Sequence, residues 1–150
     1  MKTSPLDIAV VDYGAGNLRS VLSALRELDC SARVAESSAD LASADAVILP
    51  GVGAAADTMQ NLVTRGLADA IREWTAADRP FLGICMGLQV LFQDSTEGRG
   101  QSCLGVLKGR VVRIPPGEKV PHMGWNQVHF AAEQTIFEGI PAGSNFYFVH

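Results

Sequence analysis

Short apolar runs alternate with longer stretches in which apolar residues recur every three or four positions. "DIAVVDYG" (7–14) is a β-branched run ended by Gly14 and reads as a buried strand. Asn17 stands where it can cap the helix that follows. The apolar positions of that helix, Leu18, Val21, Leu22, Leu25 and Leu28, share one face, with Arg19, Arg26 and Glu27 elsewhere. "SARVAE" (31–36) predicts a second strand, Ser38 with Asp40 the start of a short helix, and "DAVILPG" (45–51) a third strand broken at Pro50-Gly51. A longer helical pattern runs through Met59, Leu62, Val63, Leu67, Ala70, Ile71 and Trp74, divided at Gly66. "RPFLGIC" (79–85) is a fourth strand and "MGLQVLFQ" (86–93) a helix. Strands and helices alternating at this spacing predict βαβ units, an α/β fold of three layers with a mostly parallel sheet flanked by helices on both faces.

After residue 94 the texture changes. "STEGRGQS" (95–102) is a polar, glycine-rich loop, and "VLKGRVVRI" (106–114) reads as a strand of an antiparallel excursion. "PPGEKVPHMGWNQVHF" (115–130) is a loop followed by a strand, and "SNFYFVH" (144–150), dense in aromatic and β-branched residues, is a final strand. No repeat or low-complexity segment interrupts the pattern.

Composition narrows the classes. With 47% hydrophobic and 19% charged residues over 150 positions, the chain is globular and long enough for one ordinary domain. No apolar run is long enough to cross a bilayer, and the stretch "MKTSPLDIAVVDYG" has a lysine but no signal-peptide core, so a cytoplasmic protein without a membrane partner is expected. A net charge of −4 argues against nucleic-acid binding. The mildly basic zone of Arg99, Lys108, Arg110 and Arg113 reads as a solvated strand face. Three cysteines, at 30, 85 and 103, with no C-x-x-C spacing disfavour a disulfide framework or a structural zinc site, and no metal or cofactor is expected.

"FLGICMGLQ" (81–89) carries the chemistry. A G-x-C-x-G between strand and helix has the logic of a nucleophile elbow, in which a strained turn projects the side chain from the carboxyl edge of the sheet. Gly83 and Gly87 leave room, the helix behind favours negative charge, and a thiolate is the attacking species. The backbone N–H of Met86 then faces the place where an oxyanion would form. The plainer reading makes Cys85 a small buried hydrophobe, but flanking glycines cost roughly 0.5–1 kcal/mol in regular structure and are harder to explain that way. "LPGVGAAAD" (49–57) offers a second donor. Pro50 and Gly51 expose backbone at the same edge of a parallel sheet, so the N–H of Val52 or Gly53 can complete an oxyanion pocket. Gly51 and Gly53 also admit φ values closed to other residues, which would allow a peptide flip near Val52. The rival reading is a phosphate-binding G-x-G-x-x-A (Gly51, Gly53, Ala56), whose expected acidic residue is replaced by Asp69 and Glu73 in a helical pattern. A base is not evident, because His122, His129 and His150 lack an adjacent carboxylate.

With these residues in view, "GICMGLQ" resembles the elbow of the class I glutamine amidotransferases and "PGVG" their oxyanion segment. "DYGAGNLRSV" (12–21), "PHMGWN" (121–126) and "FYFVH" (146–150) are similar to the glutaminase subunits of imidazole glycerol phosphate synthases within that class. The resemblance covers essentially the whole chain. It implies a flavodoxin-like α/β fold and makes Cys85 the nucleophile that attacks the amide of glutamine, giving a γ-glutamyl thioester and ammonia. Gln89, with Gly51 and His150, would bind glutamine, and Val52, Gly53 and Met86 would form the oxyanion region. The implied partner is a (β/α)₈-barrel cyclase that receives the ammonia in histidine biosynthesis, the two forming a heterodimer. Asn17, Trp125 and Tyr147 lie in motifs that resemble its partner-facing surface, with core packing the competing role for Trp125. The family's base and orienting carboxylate occur as His-Pro-Glu, which this sequence lacks. Residues 1–150 are therefore expected to be a single amidotransferase domain, incomplete at its C-terminus and nearly inactive alone. Two alternatives stay open, a non-catalytic binding module and an amidotransferase serving another synthase.

Overall fold

A computed structural model describes residues 6–131 and 135–150. Lys2, the lysine of the N-terminal stretch, lies outside the described residues. The chain divides into two compact units, one ending at Arg113 and the other spanning Ile114–His150.

In the first unit, strands β1 (Asp7–Val11), β2 (Ser31–Ala35), β3 (Ala46–Leu49) and β4 (Phe81–Gly83) form a sheet of order β2-β1-β3-β4. All three pairings are parallel. The connections carry helices α1 (Leu18–Glu27), α2 (Ser38–Ala42), α3 (Ala55–Thr64) and α4 (Leu67–Ala76). The two-residue period of β1 explains why its run is apolar throughout. Ile8 and Val10 join Ile48 on one face, against Leu18, Val21, Leu22 and Leu25 of α1. Ala9 and Val11 join Val47 and Leu49 on the other, against Leu41 of α2, Met59 and Leu62 of α3, and Leu67, Ile71 and Trp74 of α4. At roughly 1.5–3 kcal/mol for each large apolar side chain removed from water, this second face holds most of the core. Strand β4 is less covered than expected. Leu82, the register neighbour of Ile48, stays 42% exposed on the α1 side of the sheet.

Local chemistry sets the helix ends. Asn17 caps α1 by accepting the Ser20 N–H at 3.3 Å. The cap of α2 is Ser37, one residue before the expected start, in a capping box with Asp40. Gly66 divides α3 from α4 as expected, in the left-handed conformation at φ 67°. Two positions assigned to apolar helix faces are exposed. Leu28 lies past the last turn of α1 as its C-cap, and Val63 points outward at the end of α3.

The helix expected over "MGLQVLFQ" is one turn, α5 (Met86–Gln89). The carbonyls of Val90, Leu91 and Phe92 accept from Leu104, Leu107 and Gly105. A helix carried onward would compete for those acceptors, so tertiary hydrogen bonds override the helical pattern. Strands β5 (Asp94–Ser95) and β6 (Gln101–Ser102) make a small antiparallel hairpin. The strand expected over "VLKGRVVRI" shrinks to β7 (Arg110–Val111), and it pairs parallel with β5. Gly109 at φ 109° interrupts the run, and Arg110 pairs with Asp94 at 2.8 Å. That exposed ion pair agrees with the reading of the basic zone as a solvated face.

The second unit is built on β8 (Met123–Val128) and β9 (Ser144–Val149), paired antiparallel from Met123↔Val149 to Val128↔Ser144. No helix among the described residues is long and apolar enough to cross a membrane.

Candidate active site

The elbow follows from three close backbone approaches. A Cβ on Gly87 would overlap the Leu49 carbonyl oxygen at the end of β3. A Cβ on Gly83 would lie 2.7 Å from the Gly87 oxygen and from Leu88 N and Cα, and one on Gly51 would lie 2.5 Å from the Gly87 nitrogen. The ends of β3 and β4 and the single turn of α5 are thus stacked backbone on backbone. The thiol sits where they meet.

Cys85 takes φ 55° and ψ −116°. This is close to the first central position of a type II′ turn, a conformation that glycine occupies freely and other residues at a cost of order 1–3 kcal/mol. Asp29 and Asp78 also have positive φ, but both follow the C-terminal residue of a helix and its cap. The strain at Cys85 is held by the packing around it. Met86 buries its side chain in the larger core cluster, Ile84 donates its N–H to the Leu49 carbonyl at 3.0 Å, and Gln89 donates to the Cys85 carbonyl at 3.0 Å.

Burial separates the three cysteines. Cys103 is buried, and desolvation, followed by the charge of Asp94, pushes its thiol up from the ordinary value. Cys30 is half-buried and Cys85 is exposed. The reading of Cys85 as a small core residue therefore fails on exposure as well as on backbone geometry.

The segment that holds the oxyanion candidates Val52 and Gly53 begins beside the elbow. Gly51 lies against Met86 and Gly87, and Val52 beside it is 49% exposed. Among the described residues, no hydrogen bond engages the N–H of Met86, Val52 or Gly53. Gly53 has φ 82° with open space around it. Gly51 is not in the left-handed region, so its need for glycine is the close approach rather than φ. Gln89 is half-buried one turn along from Cys85, and its amide group has no partner among the described residues. Because α5 is a single turn, it offers Cys85 the amides of that turn and not a long dipole.

The first unit contains none of the three histidines. His122 and His150 lie in the second, exchanging backbone hydrogen bonds of 2.6 and 3.0 Å, with His122 Nδ1 and His150 Nε2 at 3.0 Å. On the same unit Trp125 and Tyr147 form a cross-strand pair with ring centroids 5.4 Å apart. They are 69% and 57% exposed, so core packing is not the role of Trp125. Asn17 is exposed on the first unit.

One contact was not legible in the sequence. Glu97 Oε2 accepts the Ala55 N–H at 2.7 Å, across 42 residues. The glycine-rich loop that holds Glu97 reads only as polar, and no spacing links it to α3. The contact also bears on the phosphate-binding rival, because a carboxylate already occupies the N-terminus of α3. Asp69 and Glu73 lie within α4, not at a strand end.

The glutamine amidotransferase class-I family model matches residues 9–150. The chain belongs to this family. Among the amidotransferase's curated relatives, "Imidazole glycerol phosphate synthase subunit HisH" of Dehalococcoides mccartyi is 54% identical over 95% of this chain and 70% of its own length. The protein of the same name from Moorella thermoacetica is 52% identical over 95% and 68%. The amidotransferase also shares its fold with a solved structure described as a glutamine amidotransferase, at a TM-score of 0.71 and 23% identity, covering 94% of this chain and 70% of that one.

Proposed function

We propose that the chain is the glutaminase subunit of an imidazole glycerol phosphate synthase in histidine biosynthesis, working through a thioester on Cys85. The observation that carries the chemistry is the exposed thiol at φ 55°, set beside unengaged N–H groups on α5 and on the segment 51–53. The Cys85 thiolate adds to the side-chain carbonyl carbon of glutamine. The oxygen becomes an oxyanion that the N–H of Met86 and of Val52 or Gly53 would stabilise as charge develops. Collapse, with a proton delivered to the leaving nitrogen from water, expels ammonia and leaves a γ-glutamyl thioester on the sulfur; water then attacks the thioester, releasing glutamate and returning a proton to the sulfur. Gln89, one turn from the nucleophile, holds the substrate beside Gly51. The roles of His150 in glutamine binding and of Asn17, Trp125 and Tyr147 toward the partner rest on the resemblance, supported by the exposure of the last three. The partner is a barrel cyclase that consumes the ammonia.

The test is glutamate release by the synthase assembled with its cyclase, together with trapping of Cys85. Cys85→Ala should reduce release by at least about 10³-fold, and a γ-glutamyl adduct should map to Cys85. Undiminished release by that variant overturns the reading.

A further inference from the structure

Helix α3 begins without a cap of its own. Its N-cap is Ala54, extended at φ −94° and ψ 149°, with no side-chain hydrogen bond. The next residue, Ala55, is 1% exposed, and its N–H is engaged by the Glu97 carboxylate at 2.7 Å. Glu97 is exposed, but its backbone is fixed. Its N–H donates to Ser95 Oγ at 3.2 Å, its carbonyl accepts from Gly100 at 2.9 Å, and the neighbouring Thr96 N–H donates to the Val111 carbonyl at 2.9 Å. Ser95 is 3% exposed within the β5–β6 hairpin.

We propose that Glu97 is a positioning residue for the oxyanion segment, acting through the Ala55 N–H. The inference rests on the reading of Cys85, Val52 and Gly53 given above. The segment is pinned at both ends. Gly51 is pressed against Met86 and Gly87 at one end, and Ala55 is tethered to Glu97 at the other. Only Val52, Gly53 and Ala54 lie between the anchors, so the direction of their N–H groups is set by both. A carboxylate suits the task because it also meets the positive end of the α3 dipole. Without it a buried amide has no acceptor, and the helix start shifts to find water. The segment then loses its aim toward the substrate oxygen.

The test compares Glu97→Ala and Glu97→Gln in the assembled synthase, with hydrogen exchange of the Ala55 amide as an activity-independent readout. Glu97→Ala should lower kcat for glutamine hydrolysis roughly ten- to hundredfold, with KM changed less than about threefold, and should speed Ala55 exchange. Glu97→Gln, whose amide oxygen still accepts the Ala55 N–H, should restore most of kcat and of the protection. A raised KM at unchanged kcat would make Glu97 a substrate contact and overturn the proposal. Ala55 exchange unchanged in Glu97→Ala overturns it as well. Equal release by wild type and Cys85→Ala would instead remove the glutaminase reading, and Ala55 exchange would still decide whether the tether exists.

Discussion

Gly51 rests on Gly87, so close that a methyl group on the first would sit 2.5 Å from the backbone nitrogen of the second. This contact joins the segment 51–53 to the turn at Cys85, and it requires glycine at position 51.

Glycine-to-alanine substitutions should therefore separate by position. Gly87→Ala drives a methyl group into the Leu49 carbonyl, and the surrounding strand end cannot move without breaking β3–β4 pairing. We expect a loss of about 3 kcal/mol or more in urea unfolding. Gly53→Ala meets nothing within 4 Å and bears only the strain of φ 82°, about 1–2 kcal/mol. Equal losses at the two positions would show that steric stacking does not hold the elbow.

Strain at Cys85 makes a prediction that runs against the usual cost of glycine. At φ 55° and ψ −116°, replacing Cys85 by Gly relieves of order 1–3 kcal/mol of backbone strain, while the freer unfolded chain takes back roughly 0.4–1. Cys85→Gly should thus be about 1 kcal/mol more stable than Cys85→Ala in thermal unfolding, both being inactive. Greater stability of the alanine variant would mean the turn is relaxed.

How much of this was legible in the sequence depends on the range of the interactions. The parallel sheet, the Asn17 cap, the break at Gly66 and the Cys85 elbow all follow from periodicity or from motifs a few residues long. The length of α5 did not, because "MGLQVLFQ" keeps a helical pattern while residues 104–107 capture its carbonyls. Strand β7 is shorter than its β-branched run for a related reason, since such residues mark capacity for pairing but not the presence of a partner. Gly51 reads as a position of special φ, whereas its cause is a contact with residue 87, and no local signal marks Glu97, whose target lies 42 residues away.

The capping box of α2 gives a pH-dependent test. The hydrogen bond from the Ser37 hydroxyl, then the backbone N–H of Glu36, hold the Asp40 carboxyl below its ordinary value. A folded-state value lower than the unfolded one stabilises the fold fully above the ordinary carboxylate range, about pH 4. That contribution is lost as pH falls through the folded value. Ser37→Ala should move the Asp40 titration, followed by carboxyl NMR, up toward the ordinary value. No movement would exclude the Ser37 hydroxyl as its main cause.

Trp125 supplies the last test, because its exposure separates docking from folding. It packs edge to face on Tyr147 with centroids 5.4 Å apart, yet is 69% exposed. Truncating a side chain this open should change the stability of the chain by no more than about 0.5 kcal/mol. An aromatic anchor in a partner interface typically contributes about 2 kcal/mol or more, so Trp125→Ala should weaken cyclase binding roughly thirtyfold in calorimetric titration. Adding cyclase to the wild-type chain should also shift Trp125 emission to the blue, with buried Trp74 as the silent background, which Trp125→Ala isolates. If Trp125→Ala binds the cyclase as tightly as wild type, the hairpin face is not the docking surface.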